Sequence, residues 1–348
     1  MSDASIQQGV KHGRKRILFV SPLNVASNNG MMQRQIQILN FLNNSDVDLE
    51  LLSLYSSPSE VNEWLDELKI KASALNGFFA ILVRLIGIAW YGGNVILCNK
   101  LKWIDAFHFP IRIPAPRRLL DRYDRIVCYY PWGFPLLGLD RAGAKVVVDL
   151  GDVMADRHDR IGTRRWISLS KEDESAILNS NARCIAITRD DQGEFQRLYG
   201  LTLPVIPFLP PGYAQLRSLP PSIQARKVGF LAALGYQNEE VVKALASEEF
   251  LACMQAAGIE LLIAGGICAA IPEHLRAAIQ KSGGQVLGRV ANLEAFYSQV
   301  GVILNPVGPS TGVKIKSVEA LLAGRGSSRR NMELMRNCWS SSQIRSPC

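Results

Sequence analysis

Two lysines and a glutamate lie close together near the C-terminal end of the chain, directly after a loop rich in glycine, proline and hydroxyl-bearing residues. Lys314, Lys316 and Glu319 follow the loop 306–312. Lysine side chains attract anions such as phosphate, whereas a glutamate carboxylate accepts hydrogen bonds from hydroxyl groups. A ligand that carries both phosphate and sugar hydroxyls would satisfy both kinds of group. The combination therefore indicates a nucleotide-sugar site.

The elements that must position these residues are a short strand and a helix. Residues 302–304 form an apolar run typical of a buried strand, and the helix begins after Gly312 and ends at Gly324. The amino end of a helix presents unpaired N–H groups and the positive end of the helix dipole. We therefore expect an anion cradle here, with Glu319 on the first turns of the helix.

Strands alternate with helices through most of the chain. Apolar runs predict strands at 15–21, 47–54, 125–129, 144–150, 183–187 and 204–206. The pattern restarts near residue 225, with predicted strands at 227–234, 259–264, 285–287 and 302–304. This alternation favours an α/β fold of two Rossmann-like, doubly wound parallel-sheet domains that face a cleft.

The length and the proline distribution suggest where these domains end. With 348 residues, the chain is too long for one ordinary core. Five prolines lie within 207–221, so we predict an N-terminal domain at 15–206 and a proline-rich linker at 207–224. A second domain is expected at 225–324. The remaining segment, 325–348, lacks an apolar period and is predicted to be an atypical, disordered tail.

Charge and cysteine content exclude several kinds of partner. The formal net charge is +8, but the tail from Arg325 onward carries five arginines and one glutamate, so it alone accounts for +4. This distribution disfavours a nucleic-acid-binding helix and favours an anionic substrate or lipid surface. The seven cysteines show no C-x-x-C spacing, which indicates a reduced, cytoplasmic compartment, cysteines that mostly fill the core, and no zinc site.

One apolar segment, 74–97, approaches the length of a membrane span. Arg84 interrupts it, and several glycines break it up, so we interpret it as one or two surface or core helices rather than a span. A helix lying in the plane of the membrane is the intermediate alternative. The predicted localisation is therefore cytoplasmic, with peripheral contact to the inner face of the membrane as a further expectation.

Several motifs resemble one family. The segments 286–290, 304–306, 311–316 and 319–324 resemble the donor half of GT-B glycosyltransferases, and the nearest group is glycosyltransferase family 4 (group 1). The segments 17–22 with Gly30, and 146–152 with Arg157, resemble the N-terminal domain of that family. The resemblance covers roughly 15–324, and the chain departs from the family after Gly324, as a truncated or frame-shifted copy would.

This resemblance implies roles for particular residues. Glu319 would bind the ribose hydroxyls, and Lys316 with the amides of Thr311 and Gly312 would face the diphosphate. Gly30 would let the first loop approach the donor phosphates closely. Further candidates are Arg289 at the donor cleft and two groups on the acceptor side, Asp152 and Arg157. Arg289 could equally be a surface residue, and Asp152 and Arg157 could instead cap loops.

The implied activity is transfer of a sugar from a nucleotide-diphosphate donor to a polysaccharide or lipid-linked acceptor. Members of the family usually retain the anomeric configuration and need neither a metal nor a cofactor, because helix dipoles and basic side chains stabilise the leaving diphosphate. On the resemblance, residues 15–206 would form the acceptor domain and residues 225–324 an incomplete donor domain. The alternatives are a catalytically impaired nucleotide-binding relic and a sugar-nucleotide epimerase, while a nucleic-acid binder ranks last.

Three positions depart from the family pattern. Thr311 stands where a second glutamate is common, and 230–237 lacks the arginine and lysine that often contact the diphosphate. Gly151 lies where a histidine near the reacting centre is often found. These departures leave Lys316 and Glu319 as the most informative residues of the expected donor site.

Overall fold

The computed structural model describes residues 14–22, 24–25, 30–101, 112–131, 133–155, 169–222, 224, 226–306 and 313–327. The described residues fall into two compact units. The first lies within Met1–Ala26, Ile38–Leu150 and Leu169–Ile185, and the second within Ser27–Gln37, Gly151–Ser168 and Ala186–Cys348. Each unit contains one β-sheet.

The first unit is built on six parallel strands. They are β1 (Lys15–Ser21), β2 (Val47–Ser53), β3 (Ala72–Ala74), β4 (Arg125–Tyr129), β5 (Val146–Asp149) and β6 (Arg183–Ile185). Their order in the sheet is β3-β2-β1-β4-β5-β6. The strand order therefore reverses between β1 and β4, as in a doubly wound Rossmann-type sheet.

Helices follow the strands of this sheet. They are α1 (Gly30–Asn43), α2 (Pro58–Glu67), α3 (Phe78–Leu101), α4 (Arg117–Leu120), α5 (Gly133–Leu136) and α6 (Lys171–Leu178), with a 3-10 helix at Leu139–Lys145. The start of α2 shows why the sequence folds this way locally. Ser57 accepts a hydrogen bond from the amide of Glu60, whose carboxylate accepts one from the amide of Ser57. This capping box satisfies two amides that would otherwise lack partners.

The second unit has a five-stranded parallel sheet. Its strands are β7 (Lys227–Leu231), β8 (Glu260–Ala264), β9 (Gln285–Gly288), β10 (Val302–Ile303) and β11 (Gly326–Ser327), in the order β11-β10-β7-β8-β9. Its helices are α7 (Arg189–Tyr199), α8 (Tyr213–Arg217), α9 (Tyr236–Leu245), α10 (Glu248–Ala256), α11 (Glu273–Lys281), α12 (Leu293–Tyr297) and α13 (Ile315–Leu322), with a 3-10 helix at Gly266–Ala270. The strand order reverses between β7 and β10.

A glycine in β7 sets how closely α12 packs on the second sheet. A Cβ added to Gly229 would lie 2.7 Å from the Phe296 ring and 2.9 Å from Val300. Because those atoms fill the space, the glycine allows α12 to approach β7 directly. Phe296 and its neighbour Tyr297 are fully buried in this layer. The packing thus fixes a tyrosine below the point where the strand order reverses.

The fold class predicted from the sequence is confirmed. Strands β1 and β4 have the predicted limits, because each is a continuous apolar run between polar residues. The sequence pattern between the strands predicted at 227–234 and 259–264 predicts a single helix over 239–257, and that prediction is wrong. The structure has α9 and α10 there, since the Ser247 side chain accepts a hydrogen bond from the amide of Phe250 and starts a new helix.

The apolar segment 74–97 forms most of α3, a continuous helix of 24 residues. The prediction that glycines break this segment is wrong. Gly87 instead permits close packing, because a Cβ there would lie 2.5 Å from the carbonyl oxygen of Leu54. Within the part of the chain that the structure describes, no helix has the length and apolar character needed to cross a membrane.

The predicted linker and tail contain regular structure. Helix α8 lies inside 207–224, and its Leu216 is buried in the same core layer as Phe296 and Ala320. Regular structure also continues past Gly324, because β11 pairs with β10. The remainder of the tail, 328–348, lies outside the described residues, and the domain limits stay a prediction.

The described cysteines are mostly core residues. Cys128, Cys184 and Cys268 are buried free thiols, as predicted. Burial raises the pKa of all three, so they remain protonated and unreactive. Cys253 departs from the expectation, because it forms a disulfide.

Candidate functional site

The candidate site lies at the carboxyl ends of β7 and β10, where the strand order of the second sheet reverses. In open α/β sheets, ligands bind at this type of crevice. Five side chains meet in this region, and we call them the switch-point cluster: Phe230, Asn238, Tyr297, Lys316 and Glu319. They come from four elements, β7, α9, α12 and α13.

Lys316 is held by two contacts on the first turn of α13. Its ammonium nitrogen lies 3.2 Å from the Oδ1 atom of Asn238 and 4.6 Å from the centroid of the Phe230 ring. The amide nitrogen of Asn238 donates to the carbonyl of Ala233 at 2.9 Å, which orients its oxygen towards the lysine. Burial lowers the pKa of Lys316 to about 8, and the nearby charge of Glu319 opposes that shift. The lysine is therefore mostly protonated at neutral pH.

Glu319 lies one helical turn after Lys316 and is almost completely buried, with 2% of its surface exposed. Its Oε2 atom accepts a hydrogen bond from the hydroxyl of Tyr297 at 2.8 Å. Its Oε1 atom is buried and has no hydrogen-bond partner among the described residues. Burial raises the pKa of Glu319 to about 7, while the hydrogen bond from Tyr297 and the charge of Lys316 oppose this rise.

Tyr297 is fixed from its backbone as well as its ring. Its ring packs edge-on against Phe296, with the centroids 5.7 Å apart. The Nε atom of Arg325 donates to the carbonyl of Tyr297 at 2.7 Å, and a second guanidinium nitrogen donates to the carbonyl of Pro220 at 2.9 Å. Burial and the charge of Glu319 raise the pKa of Tyr297, so its hydroxyl stays protonated and donates.

This arrangement offers a cation beside a carboxylate oxygen that lacks a donor. The protonated Lys316 can stabilise an anionic group, and the Oε1 atom of Glu319 can accept a hydrogen bond from a hydroxyl. Leaving a buried acceptor without a partner costs about 1–3 kcal/mol, so a ligand that supplies the missing donor would recover part of that free energy. In the described part of the chain, no cluster of three or more His, Cys, Asp or Glu side chains could hold a metal ion.

The structure brings together only some of the predicted site residues. Lys316 and Glu319 share the switch-point cluster. Gly30 lies at the start of α1, where an added Cβ would come within 2.6 Å of the Ile315 side chain, so its small size accommodates Ile315. Three other candidates, Arg157, Thr311 and Gly312, lie outside the described residues.

The two other predicted residues follow strands other than β7 and β10. Arg289 is exposed and follows the edge strand β9, which is separated from β7 by β8. Asp152 is half-buried and lies three residues after the end of β5. Neither makes a described contact with Lys316 or Glu319.

Sequence reasoning missed Asn238, Tyr297 and Arg325. Tyr297 occupies an ordinary buried position on a short helix, 22 residues before its partner Glu319. No local spacing links two residues so far apart. Arg325 was assigned to the tail, although it is only 3% exposed and holds the backbone of Tyr297. An asparagine two residues after the start of α9 was the one usable signal, since helix starts after central strands often contact ligands.

A surface depression of 990 Å³ lies in the first unit, at the edge of the sheet formed by the amino ends of its strands. Among the residues that line it are Arg16, Asp48 and Lys71, at or near the amino ends of the first three strands. Ligands of doubly wound sheets bind at the carboxyl ends instead. We therefore consider the switch-point cluster, and not this depression, as the candidate site.

Comparison with known proteins assigns the fold. No protein-family model and no curated protein matches the chain. Anabaena HepE, solved in complex with UDP and glucose, matches with a TM-score of 0.53 at 15% identity, over 90% of this chain and 80% of that chain. A glycosyltransferase from Rickettsia africae gives 0.57 at 12% identity, over 91% and 79% of the two chains.

A third match is a variant of S. aureus TarM in complex with fondaparinux, alpha-GlcNAc-glycerol and UDP. Its TM-score is 0.56 at 9% identity, over 90% of this chain and 85% of that chain. These proteins are GT-B glycosyltransferases, and the chain has their fold. The resemblance to GT-B proteins is thus confirmed at the level of the fold, whereas membership of family 4 stays a prediction.

Proposed function

We propose that the protein transfers a sugar from a nucleotide-diphosphate donor, and that the switch-point cluster binds the nucleotide. The observation that carries this proposal is the buried Glu319, whose Oε1 atom lacks a donor, next to the protonated Lys316 at the carboxyl ends of β7 and β10. UDP is present in the structures of HepE and TarM, which makes UDP the first nucleotide to test.

In this proposal, Glu319 accepts hydrogen bonds from the ribose hydroxyls and Lys316 faces the diphosphate. As the bond between the sugar and the phosphate oxygen breaks, negative charge grows on the leaving diphosphate, and the ammonium group of Lys316 stabilises it. The acceptor oxygen forms the new bond to the sugar, and its proton passes to the leaving diphosphate, which has gained negative charge. We propose retention of the anomeric configuration and no metal requirement, since a fixed cation is available for the leaving group.

The remaining predicted residues keep their proposed roles. Thr311 and Gly312 would supply backbone amides to the diphosphate, with Arg289 and Gly30 as further donor-side residues. Asp152 and Arg157 would act on the acceptor, which we propose to be a polysaccharide or a lipid-linked sugar.

A lipid-linked acceptor requires access to a membrane surface, and α3 offers a suitable face. Phe78, Ile81, Leu85 and Ile88 are exposed and recur every three or four residues, so they form one apolar stripe along the helix. Residues 68–104 contain five basic and no acidic residues. An exposed apolar face within a purely basic segment favours an anionic lipid surface over a protein partner. We propose that this stripe lies on such a surface.

Sedimentation with vesicles tests the membrane contact. Wild-type protein should bind vesicles that contain anionic phosphatidylglycerol, and the double variant Phe78→Ser, Leu85→Ser should lose most of that binding. Phe41→Ser is the matched control, because Phe41 is an aromatic residue with 71% of its surface exposed on a different helix. Equal binding of all three proteins would contradict the role of the stripe.

Titration calorimetry with UDP and GDP tests the nucleotide site. We expect micromolar to millimolar binding of one of the two, and release of the nucleotide from its sugar donor when an acceptor is present. Absence of binding by both nucleotides to folded protein would refute the proposal. Product analysis without an acceptor separates the alternative, since an isomerised nucleotide sugar would identify an epimerase.

A further inference from the structure

We propose that Tyr297 is a positioning residue for the nucleotide, because its hydroxyl holds one carboxylate oxygen of Glu319 and thereby reserves the other for a ligand hydroxyl. This inference rests on the proposed function and names a residue that the sequence analysis did not select. The two carboxylate oxygens of Glu319 differ in their hydrogen bonds. The Oε2 atom accepts from Tyr297 at 2.8 Å, whereas the Oε1 atom has no partner among the described residues.

The carboxylate can rotate only if the tyrosine hydroxyl moves with it, and the tyrosine is fixed. Its ring is fully buried in the layer that includes Phe296, which Gly229 brings close to β7. Its carbonyl accepts from the buried guanidinium of Arg325 at 2.7 Å. The helix that carries it is capped, since the Asn292 side chain accepts from the amide of Ala295 at 2.7 Å. Glu319 is thus held in one orientation before any ligand arrives.

Preorganisation of this kind improves ligand affinity, because the cost of ordering the carboxylate is met during folding. A glutamate without the tyrosine hydroxyl would be free to rotate towards Lys316 on its own helix. The ligand hydroxyl would then compete with that arrangement.

Among the residues that the structure describes, few charged or titratable groups face Glu319. Lys316 lies on the same helix, and its charge favours the ionised carboxylate. Tyr297 on α12 also favours the ionised form, because it donates to the carboxylate. Arg325 binds two backbone carbonyls and reaches the carboxylate only through Tyr297. Removal of the tyrosine hydroxyl should therefore make Glu319 harder to ionise.

The first test is Tyr297→Phe, which keeps the ring and removes only the hydroxyl. We expect UDP affinity at neutral pH to fall about tenfold, in line with the loss of a hydrogen bond to a charged group. The pH at which the affinity is half-maximal on the acidic side should also move upward. A purely structural role of the ring would leave that pH profile unchanged.

Tyr123→Phe is the matched control. Tyr123 is also a buried tyrosine that donates to a glutamate, Glu50, but it lies in the first unit. This variant should bind UDP with wild-type affinity and with the wild-type pH profile. An equal loss in both variants would show a general effect on the fold and would overturn the role of Tyr297.

A ligand-free measurement separates this inference from the proposed function. Carbon-13 NMR of labelled glutamate side chains follows the ionisation of Glu319, whose signal is identified by its absence from Glu319→Gln. In Tyr297→Phe the titration midpoint of this signal should move to higher pH. If wild-type protein binds neither UDP nor GDP, the proposed function fails. If it binds and Tyr297→Phe matches it in affinity, pH profile and NMR midpoint, only the positioning role fails.

Discussion

Each unit contains a buried tyrosine that donates a hydrogen bond to a glutamate, and the two pairs differ in what surrounds them. In the first unit, Glu50 also lies 3.5 Å from Arg16 and 3.7 Å from Arg122, and 24% of its side chain is exposed. In the second unit, Glu319 has only Tyr297 as a described hydrogen-bond partner, and it is buried. Tyr123 and two arginines surround the first carboxylate, while the second retains an oxygen with no donor among the described residues.

The location of each pair in its sheet differs as well. In the first pair, Glu50 lies in the middle of β2, and Arg16 reaches it from the amino end of the neighbouring strand β1. The second lies at the carboxyl end of its sheet, where the strand order reverses. The same two residue types therefore stabilise the sheet in one unit and form a candidate ligand site in the other. The carboxylate of Glu319 differs from that of Glu50 because it is buried and because one of its oxygens lacks a donor.

The largest expected effect is on the free energy of unfolding, and it distinguishes the buried Arg325 from the half-exposed Arg122. Arg325→Ala should lower the free energy of unfolding by roughly 2–4 kcal/mol, because it leaves the buried carbonyl of Tyr297 without its donor and opens a cavity. Arg122→Ala, at a half-exposed ion pair, should cost about 1 kcal/mol or less. Urea denaturation of both variants measures the contrast. Similar losses would contradict the distinction between the two sites.

The pH dependence of stability should reveal the buried carboxylate. The pKa of Glu319 rises from its ordinary value of 4.5 to about 7 in the folded protein. Between these values the folded protein holds one more proton than the unfolded chain, so stability from this group falls as pH rises through that window. Across this pH window, the contribution of Glu319 to the free energy of unfolding falls by roughly 3 kcal/mol.

Glu319→Gln removes this titration. The variant should match wild type near pH 4.5 and exceed its free energy of unfolding above pH 7, by an amount that grows across the window. Urea denaturation at several pH values compares the two proteins, and the effects of groups that do not interact with Glu319 cancel in the difference. A constant difference at all pH values would show that Glu319 is not the titrating group.

Removal of each glutamate side chain should separate their functions. Glu319→Ala is expected to weaken UDP binding by about 1–3 kcal/mol, because the ligand hydroxyl loses its acceptor. Glu50→Ala should leave UDP affinity unchanged, since that pair belongs to the other sheet. Calorimetry under conditions where both variants are folded makes the comparison. Unaltered affinity in Glu319→Ala would remove the ribose assignment.

The smallest expected effect concerns the lysine. Lys316→Met should weaken UDP binding by about 1 kcal/mol and reduce its salt dependence, because one cation near the phosphates is lost. Lys281→Met removes a charge from an exposed position at the end of α11 and should change neither quantity. Affinities at two salt concentrations test both variants.

Elements with a strong local signal were predictable. The run of apolar residues in β1 and the proline–serine start of α2 specify their structures within a few residues. The edge strand β3 was missed, because its sequence Ala-Ser-Ala has neither β-branched residues nor a long apolar run. Pairing with β2 decides its conformation, and that pairing is a tertiary contact.

The candidate site also has a part that local sequence predicts and a part that depends on tertiary contacts. The sequence by itself determined that Lys316 and Glu319 share one helix face after a loop at the end of a central strand, since a spacing of three residues is local. Only the tertiary structure decided that Tyr297 meets Glu319 and that Asn238 and Phe230 hold Lys316. Those contacts join elements far apart in the chain, and burial, which sets the pKa values of both charged groups, exists only once the elements have packed.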